Sequence, residues 1–425
     1  MIRAAELSAG RPAGVAAISW QPLLAIAAAS FLVCVAADIF YFGSKTISSD
    51  EDRIIASAAH WLATGEFRVG RDVAWEMPGA ALFFAPLHFF PGNPLNAIRF
   101  AQAALVGVQA LMLGALATLV FNDRFAGIAA ALIGGFYPYL VFTQGLALSE
   151  TLFIFLLVAG FLSLYAWRAR GARLGGLLAL TVTIFVLATL TKATLTVLTP
   201  LLVVAGALGL RPWRQVALIF LAATALYALL LTPWWVRNYR LLGAFVPFTT
   251  SASHNLYMGN NPNNPNVGTY APDLPSNWTM DRGVNIAAIP GELDRYRRYR
   301  DAALTHIAAE PFDFFRRAAL KFAVFWNLIP NAPQFRGFIY KLFGFLSFAP
   351  ILLFAAVCAF HHRRNAVRFL PFYLTIGYFT ALYVVTIASI RYRLPIEPLL
   401  IVLAAEPIAR LTCRFIPPSL RTRFR

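Results

Sequence analysis

Ser48-Ser49-Asp50-Glu51-Asp52-Arg53 sets three consecutive carboxylates just after a long apolar run, in a chain whose residues are only 13% charged. A carboxylate at the headgroup level of a membrane can act as general base toward a hydroxyl, or ligate a hard cation. The same residues can cap a helix that begins near Arg53, because Ser and Asp are favoured at the N-cap. One or two of the three can point into a site, and the others serve the cap. Glu150, in Leu148-Ser149-Glu150-Thr151, opens an otherwise apolar run. Acids near membrane depth are rare and usually paired or functional. An acid at a helix N-terminus also gains from the helix dipole, which is the plainer explanation.

Cations stand at matching positions. Lys192 lies in Leu190-Thr191-Lys192-Ala193-Thr194, between two apolar runs joined by almost no loop. It either snorkels to the interface or meets a phosphate that enters sideways from the bilayer. Arg237, in Pro233-Trp234-Trp235-Val236-Arg237-Asn238-Tyr239, and the pair Arg391 and Arg393 also stand at span ends. Positive charge kept at the outer turns runs against the usual bias and points to an anionic partner, phosphate being the simplest. The run Arg295, Arg297, Arg298 and Arg300 reads as the polar face of a helix, with lipid contact as a second role.

Other chemistries find little support. The six histidines show no metal-binding spacing. His60 and His254 are weak site candidates, and His361-His362 falls on the opposite side. Cys34, Cys358 and Cys413 are widely spaced in or beside apolar runs and read as packing residues, neither a disulfide framework nor a cysteine metal site. There is no phosphate-cradling loop or dinucleotide fingerprint, so no nucleotide is expected. A divalent cation stays open, with its ligands unknown. Asn277-Trp278-Thr279 is a short sequon match of the kind that arises by chance.

These residues need a membrane frame. The chain of 425 residues is 59% hydrophobic, with mean hydropathy +0.65. Apolar runs recur that match the roughly 20 residues needed to cross a bilayer. We expect an all-α polytopic membrane protein with spans at about 20–42, 96–121, 125–142, 148–167, 174–191, 193–210, 215–236, 338–360, 367–389 and 393–411. That makes about ten transmembrane helices and two extracytoplasmic segments carrying interfacial helices. The division is an N-terminal module, 1–236, with an outer loop at 43–95, an extracytoplasmic segment at 237–337, and a C-terminal module, 338–425. The net charge of +17 is dispersed between spans. It fits topology and anionic lipid better than nucleic acid.

Arginines in the short loops place both termini inside: Arg3, Arg11, Arg124, Arg168, Arg170, Arg173, Arg211, Arg214, Arg363, Arg364, Arg368 and the tail from Arg410. Both long polar segments then face outward. Residues 53–61 read as an interfacial helix, 77–90 as an apolar stretch too short to span, and Glu292 to Ala309 as an amphipathic helix. The Asn- and Pro-rich stretch His254 to Pro265 reads as turns.

Taken together, several segments resemble the type C integral-membrane glycosyltransferases, in the bacterial branch near protein O-mannosyltransferases and aminoarabinose transferases. Asp50-Glu51 with Arg53 is similar to that family's first-loop signature, and Gly65-Glu66 and Glu76-Met77-Pro78 to its continuation. Ala131 to Thr151 is similar to the junction where an acid opens the fourth span. Leu190-Thr191-Lys192 resembles a lipid-phosphate lysine motif. Trp234 to Tyr239 and Asn255-Leu256-Tyr257-Met258-Gly259-Asn260-Asn261-Pro262 resemble its later loop, and Arg391-Tyr392-Arg393-Leu394-Pro395 its closing motif. One departure is Met77, where aminoarabinose transferases carry a lysine.

The resemblance implies an inverting transferase that moves a sugar from a polyprenyl-phosphate donor to a lipid, glycan or protein acceptor of the envelope. It would act on the outer face of a bacterial cytoplasmic (inner) membrane. Asp50 is then the base, with Glu51 or Glu150 orienting the acceptor or sharing that role. Lys192, Arg237, Arg391 and Arg393 hold the phosphate, and Tyr257, Asn260 and Asn261 belong to the substrate loop. A lipid or solute transporter is the chief alternative, but it calls for ionisable groups at mid-span rather than at one face. A non-catalytic scaffold comes third.

Overall fold

The computed structural model describes residues 18–264, 267, 275–330, 335 and 337–413. Among them the fold is all-α apart from one short hairpin, β1 (Met280–Asp281) with β2 (Val284–Asn285). Arg3, Arg11, Arg414, Arg421, Arg423 and Arg425, which carry part of the charge bias, lie outside the described residues.

Each of the ten apolar segments is helical. They are α1 (Trp20–Ala37, continued by a π-turn to Phe42), α4 (Pro94–Phe121), the pair α5 (Arg124–Gly135) and α6 (Pro138–Gln144), α7 (Ser149–Ala169), α8 (Gly176–Thr191), α9 (Leu198–Ala207), α10 (Trp213–Leu242), α14 (Phe338–His361), α15 (Ala366–Val385) and α17 (Glu397–Cys413). Their lengths differ from the even set of spans expected. Six are long and apolar enough to cross a membrane alone, and the α5–α6 pair, bent by 49°, makes a seventh if it is one span. The break falls at Tyr137-Pro138, because proline disfavours helix in the residue before it. The remaining three are shorter: α8 has 16 residues, α9 has 10 and α17 has 17. At 1.5 Å per residue α9 covers only ~15 Å.

The bundle is organised around α17, whose residues from Glu397 to Pro407 are all buried. A helix apolar on every side belongs in the interior, and α17 packs against α14, α5 and α4. The periphery carries the lipid-facing surface, with Phe40 87% and Leu353 61% exposed.

The two polar segments fold onto each other at one end of this bundle. Helix α2 (Ser49–Thr64) starts at a capping box: Ser48 Oγ accepts from the Asp50 N–H, and Glu51 accepts from the N–H groups of Ile47 and Ser48. The stretch 77–90 forms α3 (Gly79–Phe84) and a 3₁₀ turn, packed on α2 and on the ends of α7 and α8. Across the gap, α12 (Glu292–Ala309) presents Glu292, which accepts from the Val73 N–H (2.6 Å), the Ala74 N–H (3.0 Å) and the Thr250 hydroxyl (2.6 Å). Arg295, expected on a solvated face, is instead buried and paired with Asp72, and it donates to the Ile289 and Pro290 carbonyls.

One expectation for this segment is corrected. Residues 254–259 do not form turns: Ser251–Gly259 is a helix, α11, with Tyr257 and Met258 buried against its surroundings. Tertiary burial outweighs the turn composition, and turns begin only at Asn260. A further amphipathic helix, α13 (Pro311–Phe325), follows α12 in this segment. Gly259 closes α11 where a Cβ would overlap the Thr386 carbonyl oxygen. We expect Gly259→Ala to cost about 1–3 kcal/mol through overpacking, read as a lower unfolding temperature in detergent, with activity falling because Thr386 leads into the turn that carries Arg391.

Candidate active site

A cavity of about 1670 Å³ opens where α2, α3, α11 and the ends of α7, α8 and α15 meet. Its floor carries a continuous chain of ion pairs. Glu76 pairs with Arg53 through both Nε (3.1 Å) and Nη2. Arg53 Nη1 meets Asp50 Oδ1 at 2.7 Å, and Asp50 Oδ2 meets Arg391 Nη1 at 2.7 Å. Arg391 Nε meets Glu150 Oε1 at 2.5 Å, which also accepts from Lys192 Nζ at 2.8 Å. Glu76, Arg53, Asp50, Glu150, Lys192 and Arg391 all line the cavity.

Local structure places each member. The capping box fixes the start of α2, and one turn on, Arg53 follows Asp50 on the same face. Glu150 is the second residue of α7, fully buried, and Ser149 Oγ donates to its free oxygen at 3.3 Å. Lys192 ends α8, whose last turn is clamped by α3: a Cβ on Gly79 would lie 2.6 Å from Thr191 Oγ1. Arg391 sits on the four-residue turn α16 (Ile390–Arg393), capped by Ser389. Tyr392 stacks on Tyr383 at 4.6 Å, and Lys192 lies 5.5 Å from the Tyr392 ring centre.

The charges sum to zero, three acids against three bases, but they are unequally held. Burial raises the Asp50 carboxyl, yet Arg391 and Arg53 outweigh it and hold the group below the ordinary carboxylate range. Glu76 moves the other way: burial outweighs Arg53 and raises it. Glu150, enclosed and bonded to two cations, anchors Lys192 and Arg391.

Six expected site residues stand elsewhere. Glu51 points away from the cavity: its Oε1 is taken by the cap, and Oε2 accepts from the Ala147 N–H at 3.0 Å, with Arg99 at 3.8 Å. Arg237 pins the segment between α2 and α3, donating to the Phe67 (2.5 Å) and Val73 (2.8 Å) carbonyls over the Trp234 ring. Arg393 is fully buried and paired with Glu397 at 2.6 Å. Tyr257 donates to the Met280 carbonyl at 2.9 Å, and Asn261 to that of Trp278. Asn260 bonds the Leu256 and Val385 carbonyls and accepts from Lys321 at 2.9 Å. These six hold the walls together; none of them lines the cavity.

The residues of α11 that do face it are Ser251, Ala252, His254, Asn255 and Met258. His254 sits within 5.2–5.3 Å of the Trp75, Trp278 and Tyr299 rings, and burial lowers its pKa to about 4, which makes it neutral at pH 7. His254 is a weak candidate in the sequence, whereas Arg53, Glu76 and the rings of Trp75, Trp278 and Tyr299 are not singled out there. The sequence signal for Arg53 and Glu76 is that they are charges in a sparsely charged chain, on the segment that holds Asp50. Asp50 and Glu76, which share Arg53, are the carboxylates placed to hold a hard divalent cation in exchange for that guanidinium.

No protein-family model matches the chain, and no curated protein matches it. Among solved structures it is similar to the archaeal oligosaccharyltransferase AglB from Archaeoglobus fulgidus, solved in complex with an inhibitory peptide and a dolichol-phosphate. The superposition covers 92% of this chain and 50% of that one, at TM-score 0.52 and 10% identity. The fold is that of the type C membrane glycosyltransferases. This chain spans half the length of the archaeal enzyme. ArnT from Cupriavidus metallidurans, solved bound to undecaprenyl phosphate, gives TM-score 0.39 at 16% identity over 91% of this chain and 77% of that one. Within the type C fold seen here, the cavity lies where the two polar segments join the bundle.

Proposed function

We propose that the chain is an inverting glycosyltransferase that uses a sugar carried on a polyprenyl phosphate and glycosylates an envelope lipid, glycan or protein. It works at the outer face of a bacterial cytoplasmic membrane with both termini inside. The observation that carries this reading is the ion-pair chain on the cavity floor, which sets a carboxylate beside two cations that a phosphate can claim.

The donor phosphodiester takes Lys192 and Arg391, its two free oxygens engaging the guanidinium as a bidentate pair while Lys192 adds a second charge. Arg391 then leaves Asp50, freeing a lone pair and raising the basicity of that carboxylate. Asp50 accepts the acceptor's proton as its oxygen attacks the anomeric carbon from the face opposite the phosphate. The bond from that carbon to the phosphate oxygen breaks, and the departing lipid phosphate is stabilised by Lys192 and Arg391. Donor binding thus switches on the base. The neutral ring set around His254 supplies an apolar wall over the reacting sugar.

The test is turnover of a labelled polyprenyl-phosphate-sugar panel by purified protein in lipid vesicles. Wild type should release lipid phosphate, and Lys192→Ala should weaken donor binding at least ten-fold with the fold intact. Lipid crossing the bilayer without any sugar transfer would replace this reading with a transporter.

A further inference from the structure

We propose a second site, for a borderline-soft divalent metal such as zinc, at the end of the bundle opposite the cavity. It is formed by Cys358 and His362 on α14 and its C-cap, together with Glu406 on α17. One ligand atom from each of the three lies within 4.8 Å of the others. Cys358 and His362 are four residues apart and so share one helical face. Cavity-lining Ser347 is eleven residues earlier on α14, which puts Cys358 ~16 Å along the helix from the cavity wall.

Three observations point to a ligand. Glu406 is buried inside the most enclosed helix of the fold; its Oε1 is ion-paired with Arg410, and its Oε2 has no partner among the described residues. His362 Nε2, aimed at Glu406 Oε1 from 3.5 Å, also lacks one. The imidazole is held in place by Phe369 (4.9 Å) and Phe121 (5.9 Å). A buried carboxylate is costly without a compensating charge. The cation now beside it, Arg410, is 59% exposed and approaches from its own helix, so it can swing to solvent when a metal enters.

The donor set suits zinc: one thiolate, one imidazole and one carboxylate, with water able to fill a fourth position. Metal entry displaces the Cys358 thiol proton to solvent, and the dication with thiolate and carboxylate is then neutral. Such a site clamps α14 to α17, the helix that carries the floor turn at its other end. The wide spacing of the cysteines hides it in the sequence, because its third ligand is supplied by another helix.

Cobalt(II) titration of the full-length protein in detergent, after chelator treatment, tests this. The expected result is one cobalt per chain with an intense thiolate-to-metal charge-transfer band. Cys358→Ser should abolish the band, while Cys34→Ser and Cys413→Ser retain it. Glu406→Gln should raise the dissociation constant at least ten-fold without removing the thiolate. Wild-type protein that shows no charge-transfer band overturns the proposal. So does a band that survives Cys358→Ser.

Discussion

Asp50→Asn should lower sugar transfer by roughly a thousand-fold, within the range of a lost general base, and leave the donor bound and the protein folded. The cap that starts α2 uses the Asp50 backbone N–H and the Glu51 side chain, so the Asp50 side chain is dispensable for folding. Arg53 keeps Glu76 and Arg391 keeps Glu150 when the carboxylate becomes an amide. Glu51→Gln should behave differently. Its amide sets an N–H group against the Ala147 N–H or the cap, in a buried site that accepts three backbone donors. Lost activity there should accompany a lower unfolding temperature.

The pH profile separates the roles further. In the proposed mechanism Asp50 works as a carboxylate, so activity should fall as pH drops through its pKa. Arg391 and Arg53 together hold that pKa below the ordinary range. Arg391→Ala removes the larger share of that support, so the acid limb of the rate profile should move to higher pH. Unchanged turnover in Asp50→Asn would remove the carboxylate from the chemistry. An acid limb that stays in place in Arg391→Ala would dissolve the coupling between donor phosphate and base.

Arg393→Ala should destabilise the protein by about 3–5 kcal/mol, the usual cost of stripping one partner from a buried ion pair. Arg393 and Glu397 are both fully buried. Arg393 also donates to the Phe325 carbonyl at 3.0 Å and the Asn327 carbonyl at 2.5 Å, and lies 3.6 Å from the centre of the Phe348 ring. Its loss leaves a charge with no counter-ion in the interior. The double variant Arg393→Met, Glu397→Gln should recover most of the stability, because replacing both charges removes the desolvation cost as well as the attraction. Activity should return with it. Unfolding midpoints in detergent and turnover in vesicles measure the two effects. A well-folded Arg393→Ala that fails to bind donor would make Arg393 a phosphate ligand after all.

The helical membrane frame was legible in the sequence because crossing lipid imposes a local rule: every apolar run must satisfy its own backbone. The cap was legible for the same kind of reason. Ser48 and Glu51 meet within a single turn, and their types alone state the pairing. Asp50, Glu150, Lys192 and Arg391 stand out in the sequence as charges at span ends in a chain that avoids charge. The length of each span is less legible, since α9 and α17 are enclosed by neighbours and need not match a bilayer by themselves.

What only the tertiary structure decided is which member of each adjacent charged set meets the cavity. Neighbouring residues on a helix point about 100° apart, so Asp50 can face the cavity while Glu51 faces Ala147. Arg391 and Arg393 likewise diverge, one to Asp50 and the other to Glu397. The partners that settle these choices are supplied from far along the chain, with Arg391 standing 341 residues from Asp50. Charge in a sequence marks where a site can be; the direction a side chain takes is set by whichever distant group packs against it.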